Sequence, residues 1–239
     1  MKHPATLTLL HARVVDCERC PRLRSYCAAV GREKRRAFAE WNYWTRPVPG
    51  FGDPQARLWI IGLAPAAHGA NRTGRVFTGD NSGNFLYAAL HRAAFANQAE
   101  ATSRDDGLQL TDCYISATAR CAPPGNKPTP DEISQCADFL DAEWSLLPRK
   151  CVILALGKIA WDATLALAAR QGCMISRPRP PFGHAAETDL APGLRLLGSY
   201  HVSQQNTFTG RLTPAMFDAI LHRAQQLSLE SQGRHTAGF

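Results

Sequence analysis

Four short apolar runs recur along the chain, each followed by a polar or glycine-rich loop and then by a helical pattern. They are Arg57–Gly62, Cys113–Thr118, Cys151–Leu156 and Leu194–Gly198. Their near-continuous apolar character predicts strands covered on both faces, as in a parallel sheet. The helices between them carry start signals. Thr129-Pro130-Asp131-Glu132 combines a capping threonine, proline at the first helical position and glutamate at the third. Thr213-Pro214 repeats the cap and proline before an apolar run to Leu221. Ser82-Gly83-Asn84 opens a helix with Phe85, Leu86, Ala89, Leu90 and Ala93 at helical spacing, and Gly157 precedes another through Trp161 to about Ala169.

Strand, loop and helix repeated in this way predict an α/β fold, a sandwich of helices around a parallel sheet. In open α/β sheets ligands bind beyond the carboxyl ends of the strands. The least core-like segments, Leu63–Asp80, Cys121–Lys127, Gly157-Lys158 and His201–Arg211, all directly follow a strand. They are therefore expected along one edge of one sheet. Residues 1–50 differ, with a cysteine pair, a basic helix and the run Trp41-Asn42-Tyr43-Trp44, and read as an N-terminal extension packed on the sandwich. The whole chain, 1–239, reads as one domain, with a frayed tail over 229–239.

Charge changes this picture. Lys and Arg number 27 against 20 Asp and Glu, a net charge of +7, which suits a polyanionic partner. The cluster Arg32, Lys34, Arg35 and Arg36 also fits a solvated helix face. No apolar run reaches bilayer length and no signal-peptide pattern opens the chain, so a cytoplasmic, nucleoid-associated protein without a membrane is expected. A monomer is expected too, since no amphipathic surface is left over for a partner.

Eight cysteines in such a chain point to ligands or buried thiols before disulfides. Cys17-Glu18-Arg19-Cys20 is a CxxC pair, and Cys121 and Cys136 bracket the second loop and the start of its helix. Four thiolates from two distant segments could hold zinc or a four-iron–four-sulfur cluster, and the spacing leaves both open. Burial as small apolar groups is the alternative for Cys121 and Cys136, and the expectation for Cys113 and Cys151, which open strands. Cys27 and Cys173 fall between these cases.

The loop after the first strand is rich in small residues, which allow close approach to its backbone. Arg72 and Arg75 offer forks for phosphate, and the helix start near Ser82 offers free N–H groups. Phe77 is placed to stack on a base, and Asp80 is the loop's only carboxylate; anchoring the loop and capping the next helix are their structural alternatives. In the last loop, His201 just past a strand end suits charge stabilisation in a crevice.

These loops resemble those of type B, or family 5, uracil-DNA glycosylases. The resemblance lies in Gly62-Leu63-Ala64-Pro65-Ala66, the stretch from His68 to Gly83, Cys121-Ala122-Pro123-Pro124-Gly125-Asn126-Lys127-Pro128, and His201 to Thr213; it runs from about Cys17 to Leu221. It implies a three-layer αβα sandwich with a four-stranded parallel sheet and an N-terminal iron–sulfur-bearing extension. It implies a four-iron–four-sulfur cluster on Cys17, Cys20, Cys121 and Cys136, and a DNA glycosylase acting on DNA that contains deaminated bases.

The expected roles follow. Asp80 would stabilise the sugar cation and orient water, His201 would stabilise the departing base, and Asn126 would help read or position it. Phe77, Ala64 and Ala66 would line the base site with Asn126. Arg72, Arg75 and Arg211 would hold the backbone, while Gln204, Gln205 and Phe208 fill the gap in the stack. Three departures stand out: Leu63-Ala64-Pro65-Ala66 lacks the Asp or Asn that many relatives use on water, Ala117 replaces the uracil-reading Asn of type A, and Val202 replaces a frequent proline. The first two predict a looser pocket that also accepts hypoxanthine and xanthine. The rival readings are a uracil-restricted type A-like enzyme, a non-catalytic iron–sulfur nucleic-acid-binding protein, and a zinc protein.

Overall fold

The computed structural model describes residues 6–236. The strands are β1 (Phe51–Gly52), β2 (Leu58–Gly62), β3 (Cys113–Ala117), β4 (Val152–Leu156), β5 (Glu187–Ala191) and β6 (Leu194–Ser199). The helices are α1 (Leu7–Val15), α2 (Pro21–Glu33), α3 (Ala70–Thr73), α4 (Asn81–Arg92), α5 (Pro130–Leu146), α6 (Lys158–Arg170), α7 (Gln204–Phe208) and α8 (Pro214–Thr236). Each apolar run folds as a buried strand, within a residue or so of the bounds its pattern predicts.

The strands form one sheet in the order β1-β3-β2-β4-β6-β5. The inner four are parallel, and β1 and β5 pair antiparallel at the two edges. The expected four-stranded parallel sheet is thus the centre of a mixed six-stranded one. Both edge strands lack the apolar signature because they are only partly covered: β1 is two residues long and β5 reads Glu-Thr-Asp-Leu-Ala.

Alternating side chains divide the core into two layers. Leu58 and Ile60 point to Leu86, Leu90, Phe217 and Ile220 of α4 and α8. Trp59 and Ile61 point the other way, to Leu140 of α5 and Trp161 and Leu165 of α6. Each such side chain contributes about 1.5–3 kcal/mol through removal from water. The Trp59 indole N–H donates to Ser116 Oγ at 2.9 Å, so even this buried polar group is satisfied. The capping box of α5 forms as its sequence predicts, with the Glu132 N–H on Thr129 Oγ1 and Glu132 Oε2 on the Thr129 N–H.

The N-terminal segment is docked on the sandwich. The N–H groups of Trp44 and Thr45 donate to the carbonyls of Arg72 and Asn71, and that of Val48 to Arg120. At the other end α8 continues through 229–236, where a frayed tail is expected; residues 1–5 of the extension and 237–239 of the tail lie outside the described residues. No described helix is long and apolar enough to cross a membrane.

Candidate active site at the sheet edge

The chain leaves β2 for β3 on one side and leaves β4 for β6 on the other. The two connections carry their helices to opposite faces, α4 to one core layer and α6 to the other. Loops therefore diverge at the carboxyl ends of β2 and β4, the position at which open α/β sheets take their ligands. The loop after β2 is braced on the β3 side: Thr118 and Ala119 donate N–H groups to Gly62 and Leu63, and Thr118 Oγ1 donates to the Leu63 carbonyl at 2.6 Å.

Phe77 and His201 meet at this edge, with ring centroids 6.1 Å apart. Phe77 has a positive φ of 51° and lies against the end of β2 at Gly62, where a Cβ would come within 2.7 Å of its ring. His201 follows β6 and packs beside Gly157, the residue just after β4 that caps α6. The carbonyl of His201 accepts from Asn206 Nδ2 at 2.8 Å, a brace from α7. Burial holds the His201 imidazole down to about pKa 4, so it is neutral at physiological pH and carries one N–H donor.

Asp80 is the N-cap of α4 and accepts from the Gly83 N–H at 3.0 Å. The helix starts at Asn81, one residue before the expected Ser82, because the Asp80 side chain supplies the cap. Burial pushes the Asp80 pKa up, and the N–H groups of Gly83 and Ser82 together with the charge of Arg72 pull it back. Behind the carboxyl lies Gly69, where a Cβ would overlap Asp80. Gly62, Gly69 and Asn206 escaped the residue-by-residue reading; the signal for the two glycines is their place in a loop whose backbone must be closely approached.

The four expected cluster cysteines converge from separate elements. Cys17 follows α1, Cys20 is the N-cap of α2, Cys121 follows β3 and Cys136 lies on α5. Cys17 and Cys136 share one apolar cluster with Leu10 and Phe139, and Cys20 and Cys121 share another with Leu23 and Cys27. Burial raises the Cys136 thiol to about 11, opposed by the N–H of Arg120 and reinforced by Cys20 and Cys17. The Cys121 thiol is raised by its hydrogen bond with Cys27, by burial and by Cys136. Among the described residues no three His, Cys, Asp or Glu side chains group tightly enough for a single metal ion. The four thiols are thus neighbours electrostatically, but more widely spaced than the shell of one ion. Beside them, Nε and Nη1 of Arg120 are buried without an acceptor. Arg120 is itself neutralised by the buried Glu143 carboxylate at 2.6 Å, so the fit to an iron–sulfur cluster rests on the all-sulfur donor set.

The uracil DNA glycosylase superfamily model matches residues 49–225, from the end of the N-terminal extension to the middle of α8. The chain belongs to that superfamily. It is 53% identical over 220 residues to the type-5 uracil-DNA glycosylase of Mycobacterium tuberculosis, covering 92% of this chain and 81% of the relative. The type-5 enzyme of Mycobacterium leprae is 52% identical, covering 92% and 94%. That of Thermus thermophilus is 50% identical over 213 residues, covering 89% and 94%. The matches place the chain in the type-5 branch of the uracil DNA glycosylase superfamily.

Within this superfamily member the expected DNA contacts divide into two groups. Gln204, Gln205, Phe208 and Arg211 are exposed, and Phe208 is 76% exposed, unusual for a large aromatic. They lie on or just after α7, a short helix where the sequence pattern suggests only a loop. Arg72 and Arg75, by contrast, are each 3% exposed. Arg75 pairs with both carboxyl oxygens of Asp106 at 2.8 and 2.7 Å and donates from Nε to Thr78 Oγ1 at 2.9 Å. Arg72 donates to the carbonyls of His68 and Gly79, both at 2.8 Å. Neither guanidinium is free to reach a phosphate; both hold the loop. Ala64 and Ala66 are half-buried on the same loop. Asn126, with φ 57°, is exposed on a turn after β3 and makes no side-chain hydrogen bond, so its contact with the other site residues is not formed in this state.

Proposed function

We propose that the protein hydrolyses the N-glycosidic bond of uracil in DNA, the substrate named for its type-5 relatives, and releases hypoxanthine and xanthine as well. It is a DNA glycosylase. The observation that carries the catalytic assignment is the placement of a half-buried carboxylate, Asp80, and a half-buried neutral imidazole, His201, at the sheet edge that holds Phe77.

A base inside a duplex is out of reach, so its nucleotide is extruded to this sheet edge. Exposed Phe208, Gln204 and Gln205 occupy the gap, and Arg211 meets the phosphate backbone. Phe77 stacks on the base, Ala64 and Ala66 line its edge, and Asn126 closes on it when DNA binds. As the bond from C1′ to the base nitrogen breaks, its electron pair leaves with the base. The neutral His201 donates a hydrogen bond to the oxygen that gains negative charge. Asp80 faces the positive sugar, orients water for attack on C1′ and takes up the proton that water releases. Without a side chain such as Asn at Ala117 to read uracil, the pocket discriminates by shape more than by hydrogen bonds, which supports the wider substrate range.

Cys17, Cys20, Cys121 and Cys136 would hold a four-iron–four-sulfur cluster, which supplies a cross-link between the N-terminal segment, the loop carrying Asn126, and α5. Glycosidic hydrolysis changes no oxidation state, so a structural role suffices. The test is base release from duplexes carrying one uracil, hypoxanthine or xanthine, with Asp80→Asn and His201→Ala beside wild type. Each substitution should lower the single-turnover rate about a hundredfold or more. Full activity in Asp80→Asn refutes its role, and release of uracil alone refutes the wider range.

A further inference from the structure

Arg72 is a buried cation, and the carboxylate whose charge acts on it is Asp80. Among the described residues it forms no ion pair, and its Nη1 has no acceptor. Its guanidinium carbon lies 3.9 Å from the ring centroid of Phe38 and 4.0 Å from that of Trp41, both in the N-terminal extension. Burial lowers its pKa, which marks the site as costly for a charge. An apolar side chain of similar size would fill the space at lower cost, so the positive charge calls for a functional account.

The two carbonyls that Arg72 grips bracket Asp80. Gly79 directly precedes it, and His68 precedes Gly69, whose missing Cβ leaves room for the carboxyl. We propose that Arg72 is a positioning residue for Asp80, and that the Phe38–Trp41 shelf beneath it makes the N-terminal extension part of the catalytic apparatus. One guanidinium fork fixes the backbone on both sides of the carboxylate. From α4 the Asp80 carboxyl meets the N–H groups of Ser82 and Gly83; from α3 it feels the charge of Arg72, the one charged side chain whose field acts on it among the described residues. The shelf offers two aromatic faces, which stabilise a desolvated guanidinium more than they would a primary ammonium of different shape.

The inference rests on the glycosylase reading for its rate measurement but not for its titration measurement. Uracil release is followed under single turnover from pH 5 to 9 in wild type, Arg72→Met, Arg72→Lys and Trp41→Leu, with duplex affinity and melting temperature alongside. Arg72→Met should lower the rate about a hundredfold at nearly unchanged affinity. It should also move the acid limb of the profile to higher pH, since Asp80 loses the cation that favours its charged form. Arg72→Lys should restore the acid limb but only part of the rate, and Trp41→Leu should fall between wild type and Arg72→Met. The Asp80 titration, read by carbon-13 NMR of labelled aspartate, should rise in Arg72→Met whether or not base is released.

An unmoved titration together with an unmoved acid limb overturns the proposal. So does a loss of affinity with an unchanged rate, which would make Arg72 a DNA contact. If wild type releases no base, the functional reading fails, and the titration still decides the clamp. Should Arg72→Met not fold, Arg72→Lys and Trp41→Leu carry the same comparison.

Discussion

Gly69→Ala adds one methyl group at a position that does not touch the substrate in the proposed reaction, yet it should nearly silence the enzyme. A Cβ there would lie 2.8 Å from Cγ and 3.1 Å from Cβ of Asp80. Non-bonded carbons settle at about 3.5–4.0 Å, so the carboxyl must retreat by roughly 1 Å. That retreat pulls it from the Gly83 N–H it caps at 3.0 Å. Losing the cap costs about 1 kcal/mol of stability. Misplacing the catalytic carboxylate by 1 Å costs about a hundredfold in rate, which is roughly 2.7 kcal/mol of barrier. The assay is single-turnover release of uracil from an end-labelled duplex, read by cleavage at the abasic site, with a thermal melt to check folding. The decisive comparison repeats Gly69→Ala in an Asp80→Ala background. There the methyl has no carboxyl to displace, so the second substitution should cost almost nothing further. A Gly69→Ala enzyme within threefold of wild type, or an equal loss in both backgrounds, refutes the reasoning.

Arg75→Met should destabilise the fold by about 1–3 kcal/mol, because it removes the charged partner of the half-buried Asp106 and leaves that carboxylate only its backbone N–H donors, while leaving the salt dependence of DNA binding unchanged. Exposed Arg211→Ala should do the reverse, weakening binding and reducing the slope of log affinity against log salt by about one. Stability should also fall on the acid side. His201 and His11 are both held down to about 4 by burial, whereas a free histidine titrates at 6.5. The unfolded chain therefore binds more protons between those values, and the stability present above 6.5 is lost as pH falls toward 4, by up to about 3 kcal/mol for each group. Urea unfolding at pH 7 and 4.5 should show a smaller loss in His201→Gln than in wild type, and an identical loss would count against the burial argument. Cys17→Ala should lower iron content, visible absorbance and melting temperature together while sparing the rate per folded molecule, and a cluster-free protein of normal stability would exclude the cross-link.

The parallel centre of the sheet is legible in the chain because four runs of apolar residues are covered on both faces, and α5 announces itself through Thr129 and Glu132. The edges are not legible: β5 is half exposed, so Glu187, Thr188 and Asp189 read as a loop. In the site, the position of His201 just past a strand and of Asp80 just before a helix can be read locally, since each depends on its neighbours in sequence. The fate of Arg72 and Arg75 cannot. Their partners lie far along the chain, Phe38 and Trp41 on one side and Asp106 on the other, and only folding brings them together. An arginine in a glycine-rich loop looks free until its distant neighbours are known. Asn126 shows the opposite case, a residue marked by its motif that the fold leaves exposed.

The contact between Phe77 and Gly62 has a consequence for how this enzyme can diversify. The ring is pressed on the end of a central strand and is 9% exposed, so its freedom is already lost when the chain folds. In the proposed reaction, a base that stacks on it has no rotamers left to freeze, and any flat heterocycle would gain from such a floor. On the proposed reading, choice among bases falls to the small side chains of Ala64, Ala66 and Ala117. Lineages could narrow or widen the diet of the enzyme by changing those positions one residue at a time, with the floor and the fold beneath it untouched.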